Sequence, residues 1–493
     1  MQELETSPND IRFLSVSLST DGKPQISLRS TRVEYENELP PGMLEFETFQ
    51  IGSCTSELYY YHPRYEDQPS RFELDSTDET KRELYLKRNM ASAVHQEPEN
   101  IAHFQDLLTH TMFHEVVGRV LQFNKDDDRP AIPVQMYRPK IQDGKVGFIR
   151  EVVETNFQEN IQPGSLIIRN PAIICDKHSR ADNINPETGW PYQCHRNQEE
   201  GHEPKGTIGH TEFPGGTMDG IARTPADAVT PVPQDLQTFI EKDIVNRAFL
   251  LTCIEPMGCV FDAFGTFLQS GERPESIVII GDGPNALLTT AFCQVFAPDA
   301  ELVIVGKHKA KLNCMSDMNP DKITTITTDG NDYSNLASIL KMLNGKAHAG
   351  IVMPTVSLDE ETVAPFVEDD GTLIWWAASV SEVTDNQKLK KRYHERFPYG
   401  GAPRAEFSAM LLMEYFIKER PEVIESILKY PGVNYSLLHE DAASVVEEWL
   451  TNNGRLVREI ETADGIVNMS LKPVINTARL LQYASYLDEV NKM

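Results

Sequence analysis

Ser276-Ile-Val-Ile-Ile-Gly-Asp-Gly-Pro-Asn-Ala-Leu-Leu288 joins a run of β-branched residues to a helical segment through a turn with two glycines. A second apolar run, Glu301-Leu-Val-Ile-Val-Gly306, follows that segment. A strand, a glycine turn, a helix and a second strand form one βαβ unit, the building block of a doubly wound parallel sheet. The chain is therefore predicted to be an α/β protein with a dinucleotide-binding domain.

Each small residue of the turn has a physical role in this prediction. Gly281 permits the tight turn out of the strand, Gly283 lets the backbone approach a pyrophosphate, and Ala286 lets the helix pack closely on the sheet. Pro284 and Asn285 lie between them, where the N-terminus of a helix presents unpaired N–H groups to phosphates. A purely structural turn is the alternative interpretation.

The end of the second strand indicates which cofactor binds. An enzyme that uses NAD places an Asp or Glu there, on the ribose 2′-hydroxyl. This chain has Gly306, Lys307, His308 and Lys309 instead. Because no carboxylate would repel a 2′-phosphate and three potential cations lie beside it, NADP is predicted, with NAD as the alternative. The lysines could also be the solvated start of the next helix.

Length and charge limit the classes of protein and partner. A chain of 493 residues is expected to form two or three domains. Its net charge of −28 repels phosphate backbones and anionic lipids, so neither nucleic acid nor a membrane is expected as a partner. The expected partner is a small-molecule substrate. The acidic N-terminus lacks the pattern of a signal peptide, which predicts a cytoplasmic protein. Seven irregularly spaced cysteines argue against a disulfide framework.

Three further motifs accompany the glycine turn. They are Ile51-Gly-Ser-Cys54-Thr-Ser56, Phe113-His114-Glu115-Val-Val-Gly118 and Ile254-Glu255-Pro256. In this order they resemble the medium-chain dehydrogenase/reductase superfamily, in its zinc-dependent alcohol and polyol branch, which includes the sorbitol and threonine dehydrogenases. The resemblance runs from about residue 45 to 385 and is poor in the last ninety residues.

The resemblance implies a set of catalytic residues. Cys54 and His114 match zinc ligands of the family, Glu115 and Glu255 match carboxylates that hold the metal or its water, and Ser56 matches the hydroxyl that relays the substrate proton. A catalytic zinc takes three protein ligands of these types and leaves one position open. The implied reaction is the NADP-dependent interconversion of a secondary alcohol and a ketone on a polar metabolite.

The resemblance also implies the domain organisation. A catalytic GroES-like β-barrel would span residues 1–245, with a charged insertion at about 62–105, and would be completed by residues 391–493. A Rossmann domain would span residues 246–390. Relatives commonly form dimers or tetramers, so a homo-oligomer is expected.

Departures from the family pattern keep other functions open. Cys54 and His114 are sixty positions apart, much farther than in the family. A zinc-free NADPH-dependent reductase of the same fold is one alternative, and a non-catalytic NADP-binding regulator or scaffold is another. Cys175, His178, Cys194 and His195 could bind a structural zinc, although a zinc-free loop is the preferred interpretation.

Periodicity predicts individual elements. Strands are expected at Phe13–Leu18, Gln25–Ser30, Val116–Leu121, Gly164–Arg169, Ala349–Pro354 and Gly371–Ala377. Helices are expected from Asp75, and at Asp243–Phe264, Glu406–Lys418, Ala442–Asn452 and Thr477–Val490.

Overall fold

The fold was analysed in a computed structural model of the chain. It describes residues 10–18, 24–32, 38–53, 110–111, 115–127, 131–142, 144–155, 158–169, 217–219, 221–226, 229–328, 347–353, 366–375, 393–394, 403–431, 436–438, 441–452, 456–462, 465–490 and 492. The insertion at about 62–105 and the helix expected from Asp75 lie outside these ranges.

The strands of the described residues are numbered in chain order. They are β1 Asp10–Leu18, β2 Pro24–Arg32, β3 Met43–Gly52, β4 His110–Thr111, β5 Glu115–Asn124, β6 Ile132–Gln142, β7 Lys145–Thr155, β8 Leu166–Arg169, β9 Thr217–Asp219, β10 Ile221–Pro225, β11 Val229–Pro231, β12 Ser276–Ile280, β13 Glu301–Gly306, β14 Ile323–Thr327, β15 Ala347–Val352, β16 Val367–Trp375, β17 Tyr393–His394, β18 Ser436–Leu438, β19 Leu456–Thr462, β20 Gly465–Leu471 and β21 Val474–Asn476.

The helices of the same ranges are also numbered in order. They are α1 Gln234–Glu241, α2 Ile244–Arg247, α3 Phe249–Thr252, α4 Ile254–Ala263, α5 Gly265–Ser270, α6 Pro284–Phe296, α7 Lys309–Ser316, α8 Pro403–Glu419, α9 Pro421–Lys429, α10 Ala442–Thr451 and α11 Ala478–Val490. The predicted strands that fall in the described ranges are confirmed, and so are the three predicted C-terminal helices.

A parallel sheet of six strands forms the second half of the chain. Its order is β14-β13-β12-β15-β16-β17, and every neighbouring pair is parallel. The central strands β12 and β13 are buried almost throughout, because helices cover both faces of such a sheet. This is the strand order of a dinucleotide-binding fold, and the predicted parallel sheet is confirmed. It extends past residue 390, since β17 is Tyr393–His394.

Antiparallel strands form the first half. A seven-stranded sheet has the order β11-β8-β5-β3-β21-β18, and β10 also pairs with β3. Strand β3 lies at its centre, next to β5 on one side and the C-terminal strand β21 on the other. The end of the chain therefore returns to the strand that precedes Cys54.

The segment that joins the two halves is helical but interrupted. The sequence predicts one helix over Asp243–Phe264, whereas the structure has the three short helices α2, α3 and α4. Breaks occur where Leu251 N–H bonds to Ala248 O and Cys253 N–H bonds to Leu250 O, three residues back, as in a 3₁₀ turn. The prediction of a continuous helix was wrong in this respect.

The same segment contains an apolar window of membrane-spanning length. Residues Ile244–Phe261 have a mean hydropathy of 1.4 over 18 residues, and 78% of this window is buried inside the protein. Within the described residues it is the one window of this kind. Its burial is that of a core segment, and it belongs to a cluster that also includes Phe49 of β3 and Ile279 of β12.

Helices α8 and α9 pack against helices that flank the parallel sheet. Helix α8 contacts α4, and α9 contacts both α6 and α7, the helices that precede and follow β13 in the chain. Tyr430 directly follows α9 and is fully buried. This arrangement brings a C-terminal residue to the glycine turn.

Candidate active site

The glycine turn has the geometry that the sequence predicts. Gly281 has a φ of +133°, which favours glycine, and its N–H bonds to Val305 O at 2.8 Å. A Cβ on Gly281 would lie 3.2 Å from the Cβ of Met353. A Cβ on Gly283 would meet no atom within 4 Å. The space beside Gly283 is therefore open to a ligand, whereas Gly281 is required by the backbone.

The N-terminus of α6 is suited to bind an anion. Gly283 is its N-cap, Pro284 occupies the first turn, and no side chain caps the helix. Unpaired N–H groups at a helix start carry partial positive charge and bind phosphate well. Ala286 is fully buried against the sheet, as its predicted packing role requires. These residues fit the pyrophosphate of a dinucleotide at the end of β12, where the strand order reverses.

Asp282, between the two glycines, reaches across to the end of β13. Its Oδ2 accepts the N–H groups of Lys307 and His308, each at 2.6 Å, and lies 3.0 Å from His308 Nδ1. The Tyr430 hydroxyl donates to the backbone carbonyl of Asp282. The turn and the strand end are thus fixed to each other by one aspartate.

Burial and nearby charges shift two pKa values at the turn. Burial would raise the pKa of Asp282, but the hydrogen bonds and charge of His308, together with Lys311, lower it to about 2. Burial lowers the pKa of Lys311 to about 8, against the opposing effect of Asp282. Asp282 is therefore ionised at neutral pH.

This aspartate changes the basis of the cofactor prediction. NADP was expected because the sequence has no carboxylate at Gly306, Lys307, His308 or Lys309. The structure supplies a carboxylate to that strand end from the turn instead. The premise that no carboxylate lies at this strand end was wrong. Asp282, which is 24 positions before Gly306, places its carboxylate where a residue of the second strand usually supplies one.

A second cluster surrounds Glu115, the first residue of β5. Glu115 is 2% exposed and receives the Lys472 ammonium on both oxygens, at 2.8 and 2.6 Å. Burial raises the pKa of Glu115, and the nearby Lys472 opposes this shift. The carboxylate and the lysine therefore form a buried ion pair.

The ends of three motif segments meet at this pair. Gly52 lies directly opposite Glu115, and Ser53 bonds through its N–H and hydroxyl to Pro473 O, at 3.2 and 2.8 Å. Burial raises the pKa of Cys253 to about 12, and the charges of Lys472 and Glu115 also act on this thiol. The end of β3 therefore lies beside this ion pair, and the charges of the pair act on the thiol of the residue just before Ile254-Glu255.

Glu255 lies in the first turn of α4 and is 5% exposed. The Cys259 thiol lies 3.6 Å from Glu255 Oε1, within hydrogen-bonding reach for sulfur. This carboxylate therefore has a thiol as its neighbour. Cys253 and Cys293 are buried, whereas Cys259 and Cys314 are only partly buried. Cys54, Ser56 and His114 lie outside the described residues, as do Cys175, His178, Cys194 and His195. Among the residues that are described, no group of three His, Cys, Asp or Glu could hold a metal ion.

Neither a protein-family model nor a curated protein matches the sequence. Solved structures do match. An alcohol dehydrogenase from Thermotoga maritima has 13% identity and a TM-score of 0.57, over 95% of this chain and 99% of the other. The chain therefore shares the fold of this alcohol dehydrogenase. A 2R,3R-butanediol dehydrogenase from Bacillus subtilis has 12% identity and a TM-score of 0.52, over 94% of this chain and 99% of the other.

A third solved structure has the same fold. An oxidoreductase/dehydrogenase of unknown specificity from Escherichia coli has 13% identity and a TM-score of 0.53, over 95% of this chain and 99% of the other. One fold supports many activities, so the activity must be argued from the site. The sorbitol and threonine branch stays a prediction.

Sequence reasoning missed Asp282, Lys472 and Tyr430. Asp282 lies in the turn quoted at the start, and an acidic residue between the two glycines predicted to bind phosphate was a usable signal. Lys472 and Tyr430 are 357 and 148 residues from their partners, and no local pattern pairs such distant positions.

Proposed function

We propose that this chain is an oxidoreductase that interconverts a secondary alcohol and a ketone on a polar small molecule, with a nicotinamide dinucleotide as cofactor. The observation that carries the proposal is the uncapped start of α6 beside the open space at Gly283. It lies where the order of the parallel sheet reverses, the usual place for a dinucleotide. When bound, the nicotinamide would give or take the hydride.

The residues of the chain would bind and position the reactants. The N–H groups of Asn285 and Ala286 would hold the pyrophosphate. The buried pair of Glu115 and Lys472 would fix the end of β3, just before Cys54, relative to the start of α4. Ser56 would move the substrate proton, as the resemblance implies.

Zinc held by Cys54, His114 and either Glu115 or Glu255 belongs to the same proposal. The donor types suit a catalytic zinc. The two described carboxylates are engaged elsewhere, because Glu115 accepts Lys472 and Glu255 lies beside Cys259. The residues that are described therefore do not by themselves fit a metal.

A zinc-free reductase of the same fold is the second candidate. The Lys472 ammonium is the observation that favours it, since it neutralises the carboxylate that the metal shell would otherwise use. A reductase of this kind would need only the reduced dinucleotide and an activated substrate.

The remaining predictions belong to the proposal as well. They are a choice of cofactor between NADP, which the strand-end lysines favour, and NAD, the GroES-like barrel over residues 1–245 with 391–493, the Rossmann domain over 246–390, a homodimer or tetramer and a cytoplasmic location. The return of β21 to β3 supports a barrel completed by the C-terminal segment.

Turnover and metal content together test the proposal. Purified protein is assayed with secondary alcohols and polyols plus the oxidised cofactors, and with the matching ketones plus the reduced cofactors. Metal is measured in the wild type, Cys54→Ala and His114→Ala, with Cys314→Ala as a control cysteine from α7.

Each outcome selects one account. Zinc that is lost with Cys54 or His114 but kept in Cys314→Ala supports the zinc enzyme. Turnover by metal-free wild type supports the zinc-free reductase. Tight dinucleotide binding without turnover supports the regulator, and absence of binding and turnover refutes the proposal.

A further inference from the structure

We propose that Asp282 determines cofactor specificity and selects NAD over NADP. The inference rests on the proposed function, because it concerns the adenosine end of the same dinucleotide site. It reverses the preference that the residues after the second strand suggest when they are read alone.

The position of Asp282 is the first step. It leaves the glycine turn and places its carboxylate at the end of β13, 2.6 Å from the N–H groups of both Lys307 and His308. The adenosine ribose of a dinucleotide lies between these two elements, where a carboxylate accepts the 2′-hydroxyl. Asp282 therefore brings the expected functional group from an unexpected position in the chain.

The end of β13 is the second step. A Cβ added to Gly306 would lie 2.5 Å from Asp282 Cβ and 2.9 Å from its Oδ2. Contacts this short do not occur between real side chains, so Gly306 cannot carry a carboxylate while Asp282 is in place. The two positions exclude each other, and the aspartate of the turn replaces that of the strand.

Charge is the third step. The side chain of Asp282 is 13% exposed, so water screens it weakly. A 2′-phosphate carries between one and two negative charges, roughly −1.5 to −2 at neutral pH, and would be repelled. The backbone N–H groups of Lys307 and His308, which could otherwise bind that phosphate, already bind Asp282.

Two basic side chains nearby interact with the same aspartate. His308 Nδ1 lies 3.0 Å from Asp282 Oδ2, and the ammonium of Lys311, which is 3% exposed, attracts Asp282 electrostatically. Lys311 also lies 5.6 Å from the centre of the Tyr430 ring. Because these groups already interact with Asp282, they would compensate only partly for the repulsion between its carboxylate and a 2′-phosphate.

The test compares NADH and NADPH binding, by quenching of tryptophan fluorescence and by calorimetry, in four proteins. The wild type should bind NADH at least tenfold more tightly, a ratio that corresponds to about 1.4 kcal/mol. Asp282→Asn keeps the size and one acceptor of the side chain but removes its charge. The preference of this variant for NADH over NADPH should be at least tenfold smaller than that of the wild type. Asp282→Gly with Gly306→Asp moves the carboxylate to the strand and should restore the preference for NADH. Asp299→Asn, an exposed acid of the same half, is the control and should keep the wild-type ratio.

Failures of the inference and of the proposed function differ. NADPH binding at least as tight as NADH binding in the wild type, or an unchanged ratio in Asp282→Asn, overturns the role of Asp282 and leaves the oxidoreductase proposal in place. Absence of binding of either dinucleotide to the folded wild type overturns the proposed function, and this inference with it.

Discussion

Gly52 and Glu115 lie opposite each other on β3 and β5, and a methyl group on Gly52 would fall 2.2 Å from Glu115 Oε2. Only glycine leaves room there for the carboxylate that holds Lys472. We therefore expect Gly52→Ala to displace Glu115 and lower the free energy of unfolding by about 1–3 kcal/mol, as overpacking does. Chemical denaturation measures this change.

Gly147→Ala in β7 is the matched control, because a Cβ there meets no atom within 4 Å. Its stability should stay within about 0.5 kcal/mol of the wild type. Equal stability of Gly52→Ala and the wild type would show that Glu115 does not need the space that the glycine leaves.

The ion pair of Glu115 and Lys472 predicts strongly non-additive mutations. Lys472→Met leaves a carboxylate that is 2% exposed without its cation, which should cost about 3–5 kcal/mol of unfolding free energy at neutral pH. Glu115→Gln with Lys472→Met removes both charges and should recover most of that loss. A double-mutant cycle from urea denaturation measures the coupling. If the losses of unfolding free energy caused by the two substitutions simply add in the double mutant, the pair is not buried in solution.

Asp282 predicts a specific loss of stability in acid. Its folded pKa of about 2 lies below the ordinary value of 3.8, so the ionised form stabilises the folded state. That contribution, about 2 kcal/mol, is present above about pH 4 and is lost as the pH falls from 4 toward 2. The stability difference between the wild type and Asp282→Asn should therefore shrink over this window in unfolding experiments at several pH values. A constant difference would contradict the prediction.

Local pattern was sufficient for the nucleotide-binding half. The runs at β12 and β13 are apolar on both faces, as buried parallel strands are, and the glycines between them mark the turn. The hairpins β6–β7 and β19–β20 were missed although each connection contains Asp-Gly, at 143–144 and 464–465. Gly144 and Gly465 have φ values of +77° and +113°, which is the physical reason for that signal.

Long-range contacts were not accessible in the same way. Lys472 reaches Glu115 because β21 pairs with β3, and Tyr430 reaches Asp282 because α9 packs on α6. Neither partner follows from spacing or propensity. The sequence therefore predicted the glycine turn and the candidate motifs of the site. It did not predict the charged residues that surround them.

The central claim is that a dinucleotide binds at the start of α6. Substitutions at the two glycines of the turn distinguish an effect on binding from an effect on folding. A Cβ added to Gly283 meets no atom within 4 Å, so we expect Gly283→Val to keep the unfolding curve of the wild type. A side chain at Gly281 requires a left-handed backbone and approaches Met353, so Gly281→Ala should be destabilised by about 1–3 kcal/mol.

Calorimetric titration of the wild type and Gly283→Val with NADH is the most direct measurement. The wild type should bind, and Gly283→Val should bind at least tenfold more weakly while it unfolds at the same denaturant concentration. Equal NADH affinity in the two folded proteins would place any dinucleotide elsewhere and contradict the account.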